Sequence, residues 1–404
     1  MPPRLARRFT SFAAVLLIIE FLDELVFGAA EAAWPLIRDD LGLSYTQIGL
    51  LLTVPTLFSA LVEPGLGILA DVWRRRVLIL GGGVIFALGL LLIASSQSFG
   101  LLLLAFVILF PASGAFVSLS QGALMDHAPE RREHNMARWT FAGSVGVVAG
   151  PLVLAGAVWV GLDWRAVFVG FALVAGGVVG LAWPLRFPQR SANADPDDSS
   201  APPQTFHAGL VNALRAMRRH DVLRWLMLLH AGDLMLDVLY SFLALYFVDV
   251  AGMSPQSAGF AVAVWTGVGL VGDFALISLL ERVPGLVYLR ISAALMLLVY
   301  PAFLLVPVLA LKLVLLGVMG LLNAGWYSIP QAQLYATLPN RSGTVLAVAN
   351  IAALVGGLVP LGLGILAQAA GLDVTLWALL AGPLVLVIGL PHHTPKTDEP
   401  QHEG

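Results

Sequence analysis

The sequence contains no cysteine among its 404 residues and few charged residues of either sign. Without cysteine the chain forms no disulfide bond, binds no metal through thiolates and has no cysteine nucleophile. Only 12% of the residues are charged, against about a quarter in soluble domains, and 58% are apolar. The net charge of −3 does not provide the basic field that recruits nucleic acid. We therefore expect neither a soluble globular domain nor a nucleic-acid partner.

Twelve apolar runs, separated by short polar stretches, fill most of the chain. Each is close to the roughly 20 residues that cross a bilayer as a helix. The predicted spans are 12–34, 46–70, 77–96, 99–124, 136–160, 165–185, 222–249, 256–280, 286–306, 309–333, 342–368 and 372–390. The pattern predicts an all-α polytopic membrane protein that is embedded in the lipid bilayer.

A polar segment divides these runs into two groups of six. We predict an N-terminal six-helix bundle at 1–186, a cytoplasmic linker at 187–220, a C-terminal six-helix bundle at 221–391 and a cytoplasmic tail at 392–404. In this topology 19 Lys and Arg residues fall on one side and three, Arg38, Arg165 and Lys312, on the other. Because positive residues concentrate in cytoplasmic loops, both termini are predicted to be cytoplasmic. We expect a monomer in the plasma or inner membrane.

The two halves repeat each other at an offset of 210 residues. The triplet Gly161-Leu162-Asp163 returns at residues 371–373, and Asp23, Gln121 and Arg131 also meet identical residues. Six spans in each half make these parallel repeats, which are related by an axis along the membrane normal. The repeat predicts two bundles with pseudo-two-fold symmetry that move against each other around a central site.

The segment from Gly67 to Leu78 reads GILADVWRRRVL and lies between spans two and three. Here the chain resembles the major facilitator superfamily, whose corresponding loop has the pattern G-x-L-A-D-R-x-G-R-R. The resemblance covers essentially the whole chain and implies a transporter with twelve helices. It also implies that Gly67, Asp71, Arg75 and Arg76 form a conformational latch between the halves. The alternative for the arginines is a simple positive-inside anchor.

Span five carries a weaker resemblance, since GVVAGPLVLAG approximates a motif found mainly in the superfamily's drug and proton antiporters. Gly146, Gly150 and Pro151 match it, while Leu154 and Ala155 stand in place of paired glycines. Glycines four apart also simply allow close helix approach. The arginine that the family often carries in span four is replaced by Ser118.

Carboxylates inside the spans are the most informative chemistry, because the spans contain no deeply placed Lys or Arg to pair with them. Ionised groups are costly in hydrocarbon, so these faces are expected to point into the bundle or a wet cavity. Burial and like-charged neighbours both favour the protonated carboxyl, which is the requirement for proton coupling. The residues predicted to bind protons or substrate are Glu20, Asp23, Glu24, Asp233 and Asp237. Glu20, Glu24 and Glu31 fall within about 40° on one helical face.

Other polar residues are candidates for lining a substrate cavity. They are Glu31, Glu63, Gln121, His230, Asp273, Asn323, Trp326, Tyr327, Gln331 and Asn350. Each has a structural alternative. Glu31 is near a span end and could be solvated, Glu63 could satisfy backbone freed by Pro64, and His230 could be a packing residue. The amides and aromatics could equally serve helix packing.

No phosphate-binding loop, Walker lysine or nucleophile elbow occurs. His127 and His134 do not make a metal site, because Pro129 breaks the helix that such spacing needs. We therefore expect no cofactor, no metal and no enzymatic activity. The leading hypothesis is a secondary active transporter of a small molecule that works by alternating access, is proton-coupled and exports by antiport. The alternatives are a proton-linked nutrient uptake symporter and a non-pumping lipid-handling or sensor protein.

Overall fold

The fold is a bundle of helices, seen in a computed structural model that describes residues 3–72, 74–127, 132–185, 187, 215–337, 348 and 351–391. All regular elements within these ranges are helical. Most of the predicted linker and the whole predicted tail lie outside the described residues. The domain boundaries that we assigned to them therefore stay predictions.

Each predicted span contains one helix except span ten, which contains two, and we number the helices by span. The first half contains α1 (Pro3–Leu41), α2 (Tyr45–Val72), α3 (Arg75–Ser95), α4 (Phe99–His127), α5 (Arg132–Trp159) and α6 (Trp164–Ala182). The second half contains α7 (His220–Asp249), α8 (Pro255–Leu280), α9 (Gly285–Leu305), α10a (Leu309–Leu322), α10b (Ser328–Thr337), α11 (Ile351–Ala370) and α12 (Leu372–Gly389).

Ten helices in the described part of the chain are long and apolar enough to cross a membrane. The two remaining spans differ for separate reasons. Helix α1 has the length, but its carboxylates interrupt the apolar run. Span ten is split, so its apolar part, α10a, is short. The protein is an all-helical, multi-pass membrane protein.

The turns between helices follow the sequence repeat. Gly42 and Gly252, which are 210 residues apart, both have left-handed backbone with φ of 63° and 69°. Gly161 and Gly371 form a second pair, with φ of 84° and 93°. A side chain at these positions would strain the backbone, which explains why glycine returns at the same offset in each half.

Three helices depart from regular α-geometry near their middle. A π-helical turn, Gly114–Ser118, interrupts α4, and another, Leu234–Val238, interrupts α7. Residues 323–327 form turns that separate α10a from α10b. Our prediction of one continuous helix over 309–333 is therefore wrong, because Gly325 takes left-handed backbone with φ of 75°. This break lies one residue from the repeat position of the π-turn in α4.

Glycines bring α1 and α5 into backbone contact. A Cβ atom on Gly150 would lie 2.5 Å from the backbone nitrogen of Ala29, and one on Gly146 would lie 2.5 Å from the carbonyl of Phe21. Lipid is as apolar as the helices, so helix association in a membrane is not driven by the hydrophobic effect. Close approach of two helices stabilises their contact through van der Waals packing instead. The glycines of the span-five motif thus hold α1, the helix richest in carboxylates, against α5.

Candidate functional site

A cavity of about 740 Å³ lies between the two halves of the chain. Helices α1 and α5 line it from the first half, and α7, α8 and both parts of span ten line it from the second. Its polar and aromatic lining residues are Glu24, Thr140, Ser144, Asp237, Tyr240, Trp265, Thr266, Asp273, Asn323, Tyr327 and Ser328. Among the lining residues that the structure describes, none is Lys, Arg or His. The cavity is therefore acidic, with apolar and aromatic walls.

Two of the predicted carboxylates, Glu24 on α1 and Asp237 on α7, line this cavity from opposite halves. Two ionised carboxylates that face one cavity repel each other. Asp237 lies within the π-helical turn of α7, which changes the direction of side chains relative to a regular helix. A third carboxylate, Asp273 on α8, lines the same space.

Glu20 and Asp23 lie beside the cavity rather than on the lining. Both are 8% exposed. Glu20 faces α5, where a Cβ atom on Gly143 would lie 2.6 Å from the Glu20 Oε1 atom. Asp23 accepts a hydrogen bond of 2.8 Å from the hydroxyl of Ser113, at the end of the regular part of α4. Neither lines the cavity, although Glu20 and Glu24 both pack against Gly143 of α5.

Glu31 connects the two halves. Its carboxylate accepts a hydrogen bond of 2.9 Å from the indole nitrogen of Trp34 and a longer one of 3.3 Å from the hydroxyl of Ser241 on α7. The same hydroxyl is 3.1 Å from the backbone carbonyl of Asp237. Glu31 is therefore held between helices that line the cavity, and its partner Ser241 lies one helical turn after Asp237.

Asp233 and His230 form a separate pair on α7. Their closest side-chain nitrogen and oxygen are 3.3 Å apart. The imidazole also packs against α11, where a Cβ atom on Gly356 would lie 2.8 Å from Nδ1. Neither residue is among those that line the cavity described above. Asp233 therefore contacts His230 and does not line the cavity.

The predicted residues on α2 and α4 lie within the first half. Glu63 accepts a hydrogen bond of 2.7 Å from the hydroxyl of Ser59 and packs against Gly114. Gln121 approaches the sulfur of Met136 at 3.6 Å. Neither lines the cavity described above.

The predicted residues of span ten have different environments. Asn323 and Tyr327 line the cavity, whereas Trp326 is fully buried and donates a hydrogen bond of 3.0 Å to the hydroxyl of Ser292. Trp326 therefore packs between helices. Gln331 lies partly exposed on α10b, and Asn350 lies outside the described residues.

Sequence reasoning missed several lining residues, namely Tyr240, Trp265 and Thr266. Aromatic residues at apolar helical positions give no signal that separates a cavity wall from ordinary packing. Their position became visible only when α7 and α8 were placed against the first half.

Sequence reasoning also missed a polar contact between the halves at the end where α1 stops and α2 starts, which we call the outer end. We name Arg38, Tyr45, Asp249 and Gln368 the outer seal. Arg38 makes a bidentate ion pair with Asp249, in which the Nη2–Oδ1 distance is 2.7 Å. The hydroxyl of Tyr45 donates to Asp249 at 2.6 Å, and its backbone nitrogen donates to Gln368 at 3.1 Å. Arg38 was visible in the sequence as one of three basic residues on its side.

A family model described as Major Facilitator Superfamily matches residues 16–361. The chain belongs to the major facilitator superfamily. Members of this superfamily are transporters and not enzymes, which agrees with the expectation that the protein is a membrane transporter. No curated protein sequence matches the chain significantly.

Solved structures of superfamily transporters share the fold. A bacterial homolog of the human lysosomal transporter Spinster, in an inward-facing and unoccupied conformation, has a TM-score of 0.74 at 18% identity over 96% of each chain. The nucleoside transporter NupG has a TM-score of 0.72 at 13% identity over 94% of this chain and 98% of its own. The D-xylose-proton symporter has a TM-score of 0.71 at 15% identity over 94% of this chain and 96% of its own.

The superfamily loop after α2 is only partly described. Gly67 and Asp71 lie in the last turns of α2, and the side chain of Asp71 lies outside the described part of the chain. Arg75 forms an ion pair of 2.6 Å with Asp126 at the end of α4, and Arg76 donates to the carbonyl of Trp183 after α6. These contacts fall within the first half. The role of the loop as a latch between the halves stays a prediction.

Proposed function

We propose that the protein is a proton-coupled antiporter that exports small cationic or amphipathic compounds. The single observation that carries this proposal is the lining of the cavity between the halves. Three carboxylates, Glu24, Asp237 and Asp273, face that space together with Tyr240, Trp265 and Tyr327. Aromatic faces and carboxylates together suit an organic cation, because both are electron-rich.

Antiport follows from competition between the proton and the substrate. When Glu24 and Asp237 are both ionised they repel each other across the cavity, and no basic residue in the described lining offsets that repulsion. A bound cation or a bound proton relieves the same repulsion, so that each disfavours the other. If the proton and the cationic substrate exclude each other from this site, the transporter carries one of them inwards and the other outwards, which is antiport.

The test is transport in proteoliposomes with an imposed pH gradient. Ethidium serves as the cationic probe, and uridine and D-xylose serve as neutral ones. We expect the gradient to drive ethidium movement against the proton flow, and Glu24→Gln and Asp237→Asn each to reduce that flux at least tenfold. Glu281→Gln is the matched control, since Glu281 is an exposed acid at the far end of α8.

The outcomes separate the competing functions. Undiminished pH-driven flux in both cavity variants would refute the role of these carboxylates. Uptake of a neutral probe together with protons would favour a symporter. A wild-type protein that moves none of the probes under any gradient would favour a non-pumping protein on the same fold.

A further inference from the structure

The break in span ten places non-helical backbone beside the cavity. Residues 323–327 form turns, and Gly325 within them lines the cavity. Its left-handed backbone requires glycine, and a Cβ atom there would also lie 2.4 Å from a methyl group of Leu276. Irregular backbone at membrane depth is tolerated where it is buried in protein or lines a wet cavity. Such breaks are also where transporters commonly bind ions and substrates.

Glycines allow α10a to pack closely against α8. A Cβ atom on Gly320 would lie 3.0 Å from the carbonyl of Trp265, and one on Gly272 would lie 3.2 Å from the Cα atom of Leu321. This seam brings the residue after Gly272, which is Asp273, next to the break. Asp273 and Gly325 line the same cavity.

Asn323, the first residue of the break, has an acceptor with no partner. The side chain is 5% exposed, and its amide nitrogen donates a 2.9 Å hydrogen bond to the carbonyl of Met235 on α7. That bond fixes the opposite atom, Oδ1, as the acceptor, and Oδ1 is buried without a hydrogen-bond partner. Buried polar atoms are almost always satisfied, so this oxygen is an acceptor that a ligand can use.

The two side chains that flank the break therefore offer acceptors to the cavity. Asp273 supplies a carboxylate and Asn323 an amide oxygen, and both line the same space. The described part of the cavity wall contains no basic residue that would supply a compensating charge. A ligand that satisfies both atoms must bring positive charge, and it must be compact to reach the buried amide oxygen.

We propose that Asp273, Asn323 and the turn at 323–327 form a binding site for a compact monovalent cation, either Na⁺ or the ammonium head of a transported amine. The amine version rests on the proposed function, whereas the Na⁺ version does not. Asn323 also bonds to Met235, which is two residues from Asp237 in the π-turn of α7. Occupancy of the site is thereby linked to the helix that carries a carboxylate from the second half.

The experiment is thermal unfolding of the purified full-length protein, followed by the fluorescence of its 10 tryptophans. NaCl and methylammonium chloride are titrated at constant ionic strength against N-methylglucamine chloride, whose cation is too large for the site. A ligand that binds only the folded state raises the melting temperature with saturation. We expect a saturable rise with at least one of the two cations. A rise with Na⁺ alone identifies an inorganic ion, and a rise with methylammonium alone identifies a substrate head.

Asp273→Asn and Asn323→Leu localise the effect. Each is expected to weaken the apparent affinity at least tenfold, and Glu281→Gln at the end of the same helix is expected to leave it unchanged. Since Asn323 also bonds to α7, Asp273→Glu provides a further variant that retains the charge and is expected to retain the rise in part. The proposal is overturned if neither cation exceeds N-methylglucamine in the wild type, or if the rise persists in the Asp273→Asn protein. Because this assay needs no pH gradient and no flux, its failure is distinct from a failure of antiport.

Discussion

The outer seal makes a quantitative prediction about the equilibrium between the two facing states. Asp249 accepts hydrogen bonds from both terminal guanidinium nitrogens of Arg38 and from the hydroxyl of Tyr45. This one carboxylate therefore joins α7 to α1 and α2 of the first half. The side chains of Arg38 and Asp249 are 19% and 14% exposed. The change Asp249→Asn keeps the shape and removes the charge. It should therefore weaken the closed outer end specifically.

The size of the effect follows from the type of bond. Charge-assisted hydrogen bonds contribute about 1.5–3 kcal/mol each, and exposed ion pairs contribute less than about 1 kcal/mol. The pair of Arg38 with Asp249 is bidentate and mostly shielded from solvent, and the asparagine in Asp249→Asn retains one acceptor oxygen. We therefore expect the closed outer end to lose about 2 kcal/mol of stabilisation. That corresponds to a shift of roughly 30-fold towards the state in which the outer end is open.

The absence of cysteine makes this shift measurable with a single introduced thiol. Thr53 on α2 is 1% exposed, and its hydroxyl accepts from the backbone nitrogen of Leu361 on α11 at 3.2 Å. A Thr53→Cys reporter is therefore covered while the outer end is closed. We expect its maleimide labelling rate to rise about 30-fold in the Asp249→Asn background, in proportion to the population of the open state.

Asp39 provides the matched control for this experiment. It also bonds to Arg38, but from within α1, and it is 60% exposed. Asp39→Asn should leave the labelling rate within about twofold of the reporter alone, because an exposed pair carries little free energy. Equal rates for Asp249→Asn and Asp39→Asn would refute the reasoning, because the bond between the halves would then have no measurable weight.

Two further predictions concern stability in detergent. Gly150→Ala should lower the free energy of unfolding by about 1–3 kcal/mol, because the added Cβ atom would overlap the backbone of α1. Gly156 has open space around it, so Gly156→Ala should leave the free energy of unfolding unchanged or raise it by up to about 1 kcal/mol. Lys312→Met should cost about 2 kcal/mol, because the buried ammonium donates to the carbonyl of Phe303 at 2.7 Å and to the hydroxyl of Tyr246. Melting temperatures check both, and a Gly150→Ala protein as stable as Gly156→Ala would contradict the packing argument.

Much of the helical architecture could be predicted from the sequence, because lipid leaves a helix little freedom about where to cross. The span predicted at 286–306 is the helix Gly285–Leu305, and the span at 165–185 begins one residue early, at Trp164. The exception is span ten. Hydropathy does not reveal that a single residue takes left-handed backbone. Asn323 and Gly325, two residues apart, were the local sequence signal for a turn.

The site was less predictable, because the helical face on which a residue lies does not determine which helix packs against that face. Glu20 and Glu24 are one turn apart and share a helical face. Yet Glu20 faces Gly143 of α5, while Glu24 faces the cavity. Both side chains pack against glycines of α5, Glu20 at Gly143 and Glu24 at Gly143 and Gly146, but only Glu24 also lines the cavity. The sequence established that acids lie in the spans, and only the packing separated those that line the cavity.

The contacts between α1 and α7 suggest how occupancy of the cavity changes the relation between the halves. Along this pair of helices, Arg38 attracts Asp249 at the outer end, Glu31 bonds to Ser241 in the middle, and Glu24 opposes Asp237 at the cavity. Attraction at one end and repulsion at the other favour a state that is closed outside and parted at the cavity.

In the proposed antiport, a proton or a cation that neutralises Glu24 and Asp237 removes the repulsion between them at the cavity. A ligand shifts the equilibrium only by its different affinity for the two states, so this mechanism requires the distance between Glu24 and Asp237 to differ between them. The outer seal then sets the threshold. Opening outside requires the loss of about 2 kcal/mol of bonding at Asp249, so relief at the cavity has to be of similar size for exchange to proceed.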